Sequence, residues 1–344
     1  VFCSNKESCS FQNWFSMQFT SPGPRVGSVI PAKARITSAA FHAEGVHLFV
    51  ASESISKLHI VDCQNGKSLC AALKFEREGI SIVEATHHNQ CILTSGKGST
   101  EQQQSQRFSV NYHSIYDNKI LRKFRGHTDI LTNISMNPAD DLFLTSSRDR
   151  TIRLWSLQQA GAVGQMELPA TARGDPIAAF DSTGLVFGVT APIVNGQGHY
   201  IHLYDARNYA GGAFAEMKVT TPQLEKAVTH QQARSEWTSM KFNASGNQIL
   251  VTGDNGFAIT LDGYEGTVQR SLSAKGVTTA CWAPDDKTIL TGSDDGSISC
   301  WNVDTGAMIR KLEGGHKDSL SWVGINPKYS MLASCDTNIA MWIW

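Results

Sequence analysis

Leu142-Phe-Leu-Thr-Ser-Ser-Arg-Asp-Arg-Thr-Ile-Arg-Leu-Trp155 reads as an apolar strand, a tight polar turn carrying Asp149, and an alternating strand ending in tryptophan. Period-two runs bounded by Gly, Asn, Asp and Ser predict half-buried β-strands joined as hairpins. The template returns at Thr288-Ile-Leu-Thr-Gly-Ser-Asp-Asp-Gly-Ser-Ile-Ser-Cys-Trp301 and at Met331-Leu-Ala-Ser-Cys-Asp-Thr-Asn-Ile-Ala-Met-Trp342. Weaker copies end at Val61-Asp62, His113-Ser114, Tyr204-Asp205 and Leu261-Asp262. The anchors at 61, 113, 155, 204, 261, 301 and 342 lie 52, 42, 49, 57, 40 and 41 residues apart. A further strand running into a turn precedes most anchors, as in Met136-Asn-Pro-Ala-Asp140, Phe180-Asp-Ser-Thr-Gly184 and Phe242-Asn-Ala-Ser-Gly246. The second copy is poorer, with Thr86-His-His-Asn89 in that place. Seven units of about forty residues, each of four short strands, predict an all-β, seven-bladed β-propeller.

Composition narrows the function classes. Lys+Arg 30 against Asp+Glu 31 gives a net charge of -1, which excludes electrostatic wrapping of nucleic acid by the whole surface. The chain contains no run of about eighteen apolar residues, so no membrane-spanning helix is expected. None of the cysteines forms a C-x-x-C or shows zinc-ligand spacing, and they read as free thiols in a reducing compartment. His87-His88 reads as surface rather than metal-binding, because adjacent strand residues point to opposite faces. Gly96-Lys-Gly98 and Gly253-Asp-Asn-Gly256 are turns rather than phosphate cradles, since no helix follows them. Lys119-Ile-Leu-Arg-Lys-Phe-Arg125 reads first as an outer strand with a solvated face, and more sharply as a phosphopeptide- or nucleic-acid-binding stripe.

The chain ends predict how the ring closes. The last repeat stops after its third strand, while Arg25-Val-Gly-Ser-Val-Ile30 is a spare strand with nothing local to pair with. Pairing the two removes an exposed edge. The expected organisation is an extension over residues 1–24 and a propeller over 25–344. Lys6 and Glu7 interrupt what a secretion signal would need as its apolar core, so cytosol or nucleus is expected.

Gly126-His127, Asp149 and Trp155-Ser156, with Gly315-His316, Asp336 and Trp342, resemble the WD-repeat family. The resemblance implies a buried hydrogen-bonded network of turn His, strand Ser or Thr, turn Asp and Trp. Here it would be His127, Ser147 (or its neighbour Ser146), Asp149 and Trp155, repeated as His316, Asp336 and Trp342 and in part as Asp295 and Trp301. A buried indole N–H needs an acceptor, and the carboxylate orients the imidazole. The same residues are not a Ser-His-Asp triad, because they recur with the repeat and no G-x-S-x-G elbow exposes a serine.

Tyr116-Asp-Asn-Lys-Ile-Leu-Arg-Lys-Phe-Arg-Gly-His127, Ile201-His-Leu-Tyr-Asp-Ala-Arg207, Glu236-Trp-Thr-Ser-Met-Lys-Phe242 and Asn338-Ile-Ala-Met-Trp342 extend the likeness. Taken in order, they resemble the small WD-repeat subunits shared by the Set-one (COMPASS) histone lysine methyltransferase and by transcription-termination and 3′-end-processing assemblies. Some of those assemblies contain protein phosphatase one with a targeting subunit. The resemblance implies a nuclear, non-catalytic scaffold without cofactor or metal, a monomeric subunit of a hetero-complex. Its partners would be the methyltransferase or the phosphatase-targeting subunit, and the phosphorylated tail of RNA polymerase II, with no membrane and no direct nucleic acid. Loop residues beside the repeat turns are the contact candidates: Arg35, Asp129, Arg148, Trp237, Asp294 and Asp318. Arg148 is expected to be exposed and able to fork onto a carboxylate or phosphate. Tyr204-Asp-Ala-Arg207 approximates the W-D-x-R box of cullin–RING substrate receptors, with Tyr for Trp, which makes Arg207 the mark of an alternative function. Three insertions depart from the repeat: the Gln-rich 97–106, then 191–199, and 207–236 with a short helical stretch near Gln223 to Ala233. They fall on the faces of a propeller, as binding loops or as tolerated decoration.

Overall fold

The second strand of each repeat, exemplified by Leu142–Ser147, His47–Ser52, Cys91–Gly96 and Thr288–Ser293, is buried along nearly its whole length. A strand buried on both sides must be covered on both sides. In the computed structural model, which describes residues 23–344 apart from 54–56, 75–79, 97–107 and 273–275, neighbouring blades of a ring supply that cover. Seven four-stranded antiparallel sheets follow one another along the chain. In each, strands a, b, c and d run from the axis outward; blade 3, for example, is Leu131–Met136, Leu142–Ser147, Thr151–Ser156 and Ala162–Glu167. The a strands touch one another in a closed cycle, blade 7 returning to blade 1. The core is accordingly divided into seven apolar clusters, each filling the seam between two adjacent blades.

Strand a has a partner on one side only, so its other edge would be left open toward the axis. Side chains of the preceding blade close part of that edge. Ser38 Oγ lies 3.3 Å from both the N–H and the carbonyl of Val83, Thr132 Oγ1 donates to the Pro176 carbonyl at 2.6 Å, and Asn133 Nδ2 donates to Ala178 at 2.8 Å. Lys241 Nζ donates to the Ala280 carbonyl at 2.9 Å. On the opposite face Asn137 donates to Gly184 and Asn326 to Gly45, the latter tying blade 7 to blade 1 at 2.7 Å.

Closure follows the expectation from the chain ends. Arg25–Pro31 pairs antiparallel with Asn338–Ile343, from Arg25 opposite Ile343 to Pro31 opposite Asn338, and is the outermost strand of blade 7. Val26 packs into the blade 6–7 seam and Ile30 into the blade 7–1 seam, so the strand joins two cores as well as one sheet. The 207–236 insertion contains two single-turn helices, α1 (Thr221–Leu224) and α2 (His230–Ala233). The Gln-rich segment 97–106 lies outside the described residues.

All seven anchors occupy one register position. Val61, His113, Trp155, Tyr204, Leu261, Trp301 and Trp342 stand opposite Leu48, Ile92, Phe143, Phe187, Ile249, Ile289 and Leu332 of strand b. The acceptor for the indole is the residue two further along strand b, on the same side. Trp155 Nε1 donates to Thr145 Oγ1, Trp301 to Thr291 and Trp342 to Ser334, each at 2.8 Å. This corrects Ser147 as the network hydroxyl: it stands four residues beyond Phe143, at the turn, and donates to the Asp129 carbonyl at 3.0 Å.

The rest of the blade 3 network has one consistent proton arrangement. Asp149 only accepts, so His127 Nδ1–H donates to its Oδ2 at 2.8 Å, and Nε2 takes the Thr145 hydroxyl proton at 2.7 Å. The imidazole is therefore neutral, and burial holds its pKa below the ordinary histidine range against the opposing pull of Asp149. His316 lies 2.8 Å from Asp336 and bonds Ser334 in the same way. Blade 6 has no such histidine; Asp295 accepts from Ser297 and Lys311 instead. Blades 1, 4 and 5 place Val50, Val189 and Val251 at the acceptor position beside Val61, Tyr204 and Leu261, so polar partners are exchanged there for apolar packing.

Three outcomes follow from this frame. Deleting residues 1–31 unzips blade 7 and both seams it serves, and size-exclusion chromatography should show aggregate; a soluble monomer with unchanged melting temperature would refute closure by this strand. Thr145→Val strips a partner from both His127 and Trp155 and should cost roughly 2–4 kcal/mol in urea unfolding. Ser147→Ala should cost about 1 kcal/mol, and the reverse order would sink the assignment. Burial also depresses His42, His47, His113, His199 and His202, with His199, 3 % exposed, pushed down to about 3. The unfolded imidazole binds its proton first as pH falls, so this stability is complete above about pH 6.5 and lost below it. Burial pushes the Glu84 carboxyl up to about 8 against the pull of Lys241, and it titrates in the opposite sense. Comparison with His199→Gln isolates one imidazole. Wild type should lose roughly 1.4 kcal/mol per pH unit relative to the variant between about pH 6 and 4, and parallel profiles would show His199 to titrate normally.

Candidate protein-interaction face

One face of the ring carries the b–c turns and the connections between blades. In blades 1, 3, 5 and 6 its loop residues are held by backbone bonds that continue the a–b ladder one step past the sheet. Glu53 N–H donates to Arg35, Arg148 to Ile130, Asp254 to Glu236 and Asp294 to Gly276, at 2.8 to 3.0 Å. Side chains at these positions project from rigid backbone, which lowers the entropic cost of binding a partner.

The charges here are not evenly spread. Arg148 of blade 3 forks onto Asp175, at the entry to blade 4, with Nε 3.0 and 3.1 Å from the two oxygens and Nη2 2.8 Å from Oδ2. The guanidinium expected to await a partner is thus engaged within the chain, and the Asp175 hydrogen bonds raise its pKa. Asp129 and Glu236 also face Arg148, and Asp254 faces Glu236. Partial burial and the neighbouring Asp175 and Asp254 raise the Glu236 pKa, which is the mark of carboxylates crowded around too few cations. Asp129, Asp175, Glu236 and Asp254 form an acidic arc across blades 3 to 5 with Arg148 as its counter-ion.

The remaining sequence candidates are distributed around the same face. Arg35 is exposed beside blade 1, and Asp294 is exposed over Gly276, whose φ of +65 and missing Cβ leave room for that carboxylate. Asp318 is exposed and its Oδ2 accepts from Thr337 at 3.3 Å. Asp129 is half-buried, its Oδ1 accepting from the Ile130 N–H at 2.7 Å. Trp237 is corrected: at 4 % exposure it is a seam residue, its indole stacked on the His199 imidazole with centroids 4.1 Å apart and planes 7° apart. Strand a begins at Trp237, so its side chain turns into the blade 4–5 core. Arg207 stands apart from all of these, exposed in the c–d connection of blade 4, while Tyr204 stacks on Phe187 at 5.1 Å. Asp175 and Glu236 escaped the sequence reading because their importance arises from side-by-side blades, which no local motif records.

His87 and His88 do not converge on a metal. His87 Nε2 bonds the Asn137 and Asp140 carbonyls of blade 3, and His88 Nδ1 accepts from the Gln90 N–H. Lys119–Phe124 is the outer strand of blade 2, exposed at Lys119, Ile120 and Leu121. The buried cysteines are free thiols, and burial raises Cys63 and Cys300 to about 12, so they pack as small apolar groups.

A model of the WD domain, G-beta repeat, matches residues 118–156 and 266–302, within blades 2–3 and 5–6. The chain is 33% identical over 314 residues to WD repeat-containing protein 82 of Drosophila melanogaster, covering 90% of each chain. It is 28% identical over 281 residues to the Set1 complex component swd2 of Schizosaccharomyces pombe, covering 78% of this chain and 71% of that one. It is 25% identical over 328 residues to the COMPASS component SWD2 of Saccharomyces cerevisiae, covering 90% and 91%. With a third of the aligned residues identical over 90% of both chains in the first of these, the chain belongs to the WD-repeat family of WD repeat-containing protein 82.

Proposed function

We propose that this protein is a non-catalytic, nuclear scaffold subunit of a Set1-type histone methyltransferase complex. The observation that carries the reading is likeness over nearly the whole ring to relatives named as Set1 and COMPASS components. Alignment over 78% and 90% of the chain takes in most of the faces and rim, and those surfaces are what a scaffold uses. The residues that resemble a hydrolytic centre support the same view. His127 and Asp149 have side chains 1 % and 6 % exposed, and Thr145 is fully buried, so no substrate reaches them. The finer reading adds a second assembly, a transcription-termination complex of protein phosphatase one and its targeting subunit, with the phosphorylated polymerase tail as a further ligand. In both, the acidic arc around Arg148 is the contact we assign to the partner chain.

The alternative, a cullin–RING substrate receptor, has the exposed Arg207 in its favour. Affinity purification of the tagged protein from nuclear extract, with cross-linking mass spectrometry, separates the two. Recovery of a methyltransferase, cross-linked to Lys33 or Lys317 on the loop-bearing face, is expected. Asp254→Lys, a charge reversal within the arc, should reduce that recovery about tenfold or more, as loss of an interface anchor does, with little change in melting temperature because Asp254 is exposed. Recovery of a cullin adaptor instead, abolished by Arg207→Glu, would overturn the scaffold reading while leaving the fold intact.

A further inference from the structure

Of the 207–236 insertion, Ala215–Thr220 is the outer strand of blade 4, and the part after it, 221–236, sits beside the 191–199 insertion on the loop-bearing face. The first carries the b–c hairpin of blade 4 past its sheet through a single 3-10 turn, Val194–Gly196. The second folds back through α1 and α2, and Thr221 fastens it to the first, its Oγ1 donating to the Gly196 carbonyl at 2.7 Å. Arg173 N–H donates to the Pro192 carbonyl at 2.8 Å and ties the entry loop of blade 4 to the same hairpin. Between them lies a cleft of about 220 Å³, the size of one or two side chains. It borders the acidic arc, because Glu236 belongs to both.

The polar groups of this cleft are unusually idle. His199 lines it at 3 % exposure, and neither ring nitrogen has a hydrogen-bond partner among the described residues. Behind it, Trp237 stacks on that ring, and its indole N–H has no hydrogen-bond partner among the described residues. Unpaired buried donors cost stability and call for a polar occupant. At the mouth, Arg173 and Arg234 are exposed and make no side-chain hydrogen bond or ion pair with another described residue. Pro192, Ile193 and Ala233 supply apolar wall.

We propose that this cleft binds the carboxylate of an aspartate or glutamate side chain carried on an extended segment of a partner protein. The two guanidinium groups at the mouth provide the charge-assisted donors, the His199 N–H provides a donor at the floor, and the apolar wall covers the ligand's methylene groups. A single negative charge suits the surroundings better than a phosphate. A dianion would face Glu236, and beyond it Asp175 and Asp254, with like charge. Glu236 lies against the entry loop of blade 4, its Oε1 occupying the space that a Cβ on Gly174 would need. The carboxylate chemistry rests on this chain alone, whereas its placement on a partner protein rests on the scaffold reading.

The test is NMR of protein labelled at the histidine ring carbons, with the His199 resonance assigned by its loss in His199→Gln. N-acetylglutamate α-methylamide should shift that resonance saturably, and the isosteric glutamine derivative should not. Arg173→Gln combined with Arg234→Gln should weaken the response by roughly tenfold or more; both side chains are exposed, so the melting temperature should hold. Absence of a shift, an equal response to the glutamine derivative, or tighter binding of N-acetylphosphoserine methylamide would overturn the carboxylate site. Acetate binding as tightly as the glutamate derivative would overturn the partner-protein source in favour of a free small acid. None of these results bears on recovery of a methyltransferase, so the cleft and the scaffold reading fail separately.

Discussion

The structure depends on the fact that a blade cannot bury its own apolar surface. Its second strand is buried on both sides, so each sheet needs two neighbours, and only a closed ring gives every sheet two. An open array of the same blades would leave two apolar faces in water. The pairing of Arg25–Pro31 with Asn338–Ile343 is therefore more than one more strand ladder. It fastens the first segment of the ring to the last blade and places Val26 and Ile30 in the two seams that flank it. The side-chain bonds from one a strand to the next, and the Asn137 and Asn326 bonds on the opposite face, reinforce the same geometry.

Within a blade the choice between polar and apolar anchors is made pairwise. Where strand c ends in tryptophan, the position two beyond its cross-strand neighbour is Thr145, Thr291 or Ser334, and the indole N–H is satisfied. Where it ends in Val61, Tyr204 or Leu261, that position is valine. Changing one partner alone would strand a buried donor or leave a hydroxyl unpaired, whereas changing both is tolerated. The degraded repeats are thus self-consistent solutions to the same packing problem. This explains how a chain whose repeat model matches only 118–156 and 266–302 still folds as seven blades.

The same distinction sets what could be read from the sequence. The seven anchors were legible because a period-two pattern and a turn are local, and each falls at the same register position. Ring closure was legible from a blade one strand short. The network hydroxyl was misassigned to Ser147 or its neighbour Ser146 because placing it at 145 requires the register of strand b against strand c, which the turn Asp alone does not fix. Trp237 looked like a loop contact until the start of strand a was located. Arg148 looked free because its partner, Asp175, belongs to the next blade. What escapes a sequence reading in a propeller is lateral: the contacts between blades, which are remote along the chain and built by different repeats.

Lateral construction also shapes what the loop-bearing face recognises. The acidic arc and the arginine-flanked cleft share Glu236, so positive and negative subsites sit side by side on neighbouring blades. Either subsite alone would attract any strongly charged chain of opposite sign, and the near-neutral net charge of -1 gives little long-range steering toward one sign. Opposite charges in fixed register instead reject a uniformly acidic or uniformly basic segment, because each would place like charge against one of the two subsites. Selectivity of that kind depends on the relative position of blades 4 and 5, which the shared seam of Ile201, Leu224, Trp237 and Met240 holds in place. The packing that completes the ring therefore also fixes the spacing of the charges its partners must match.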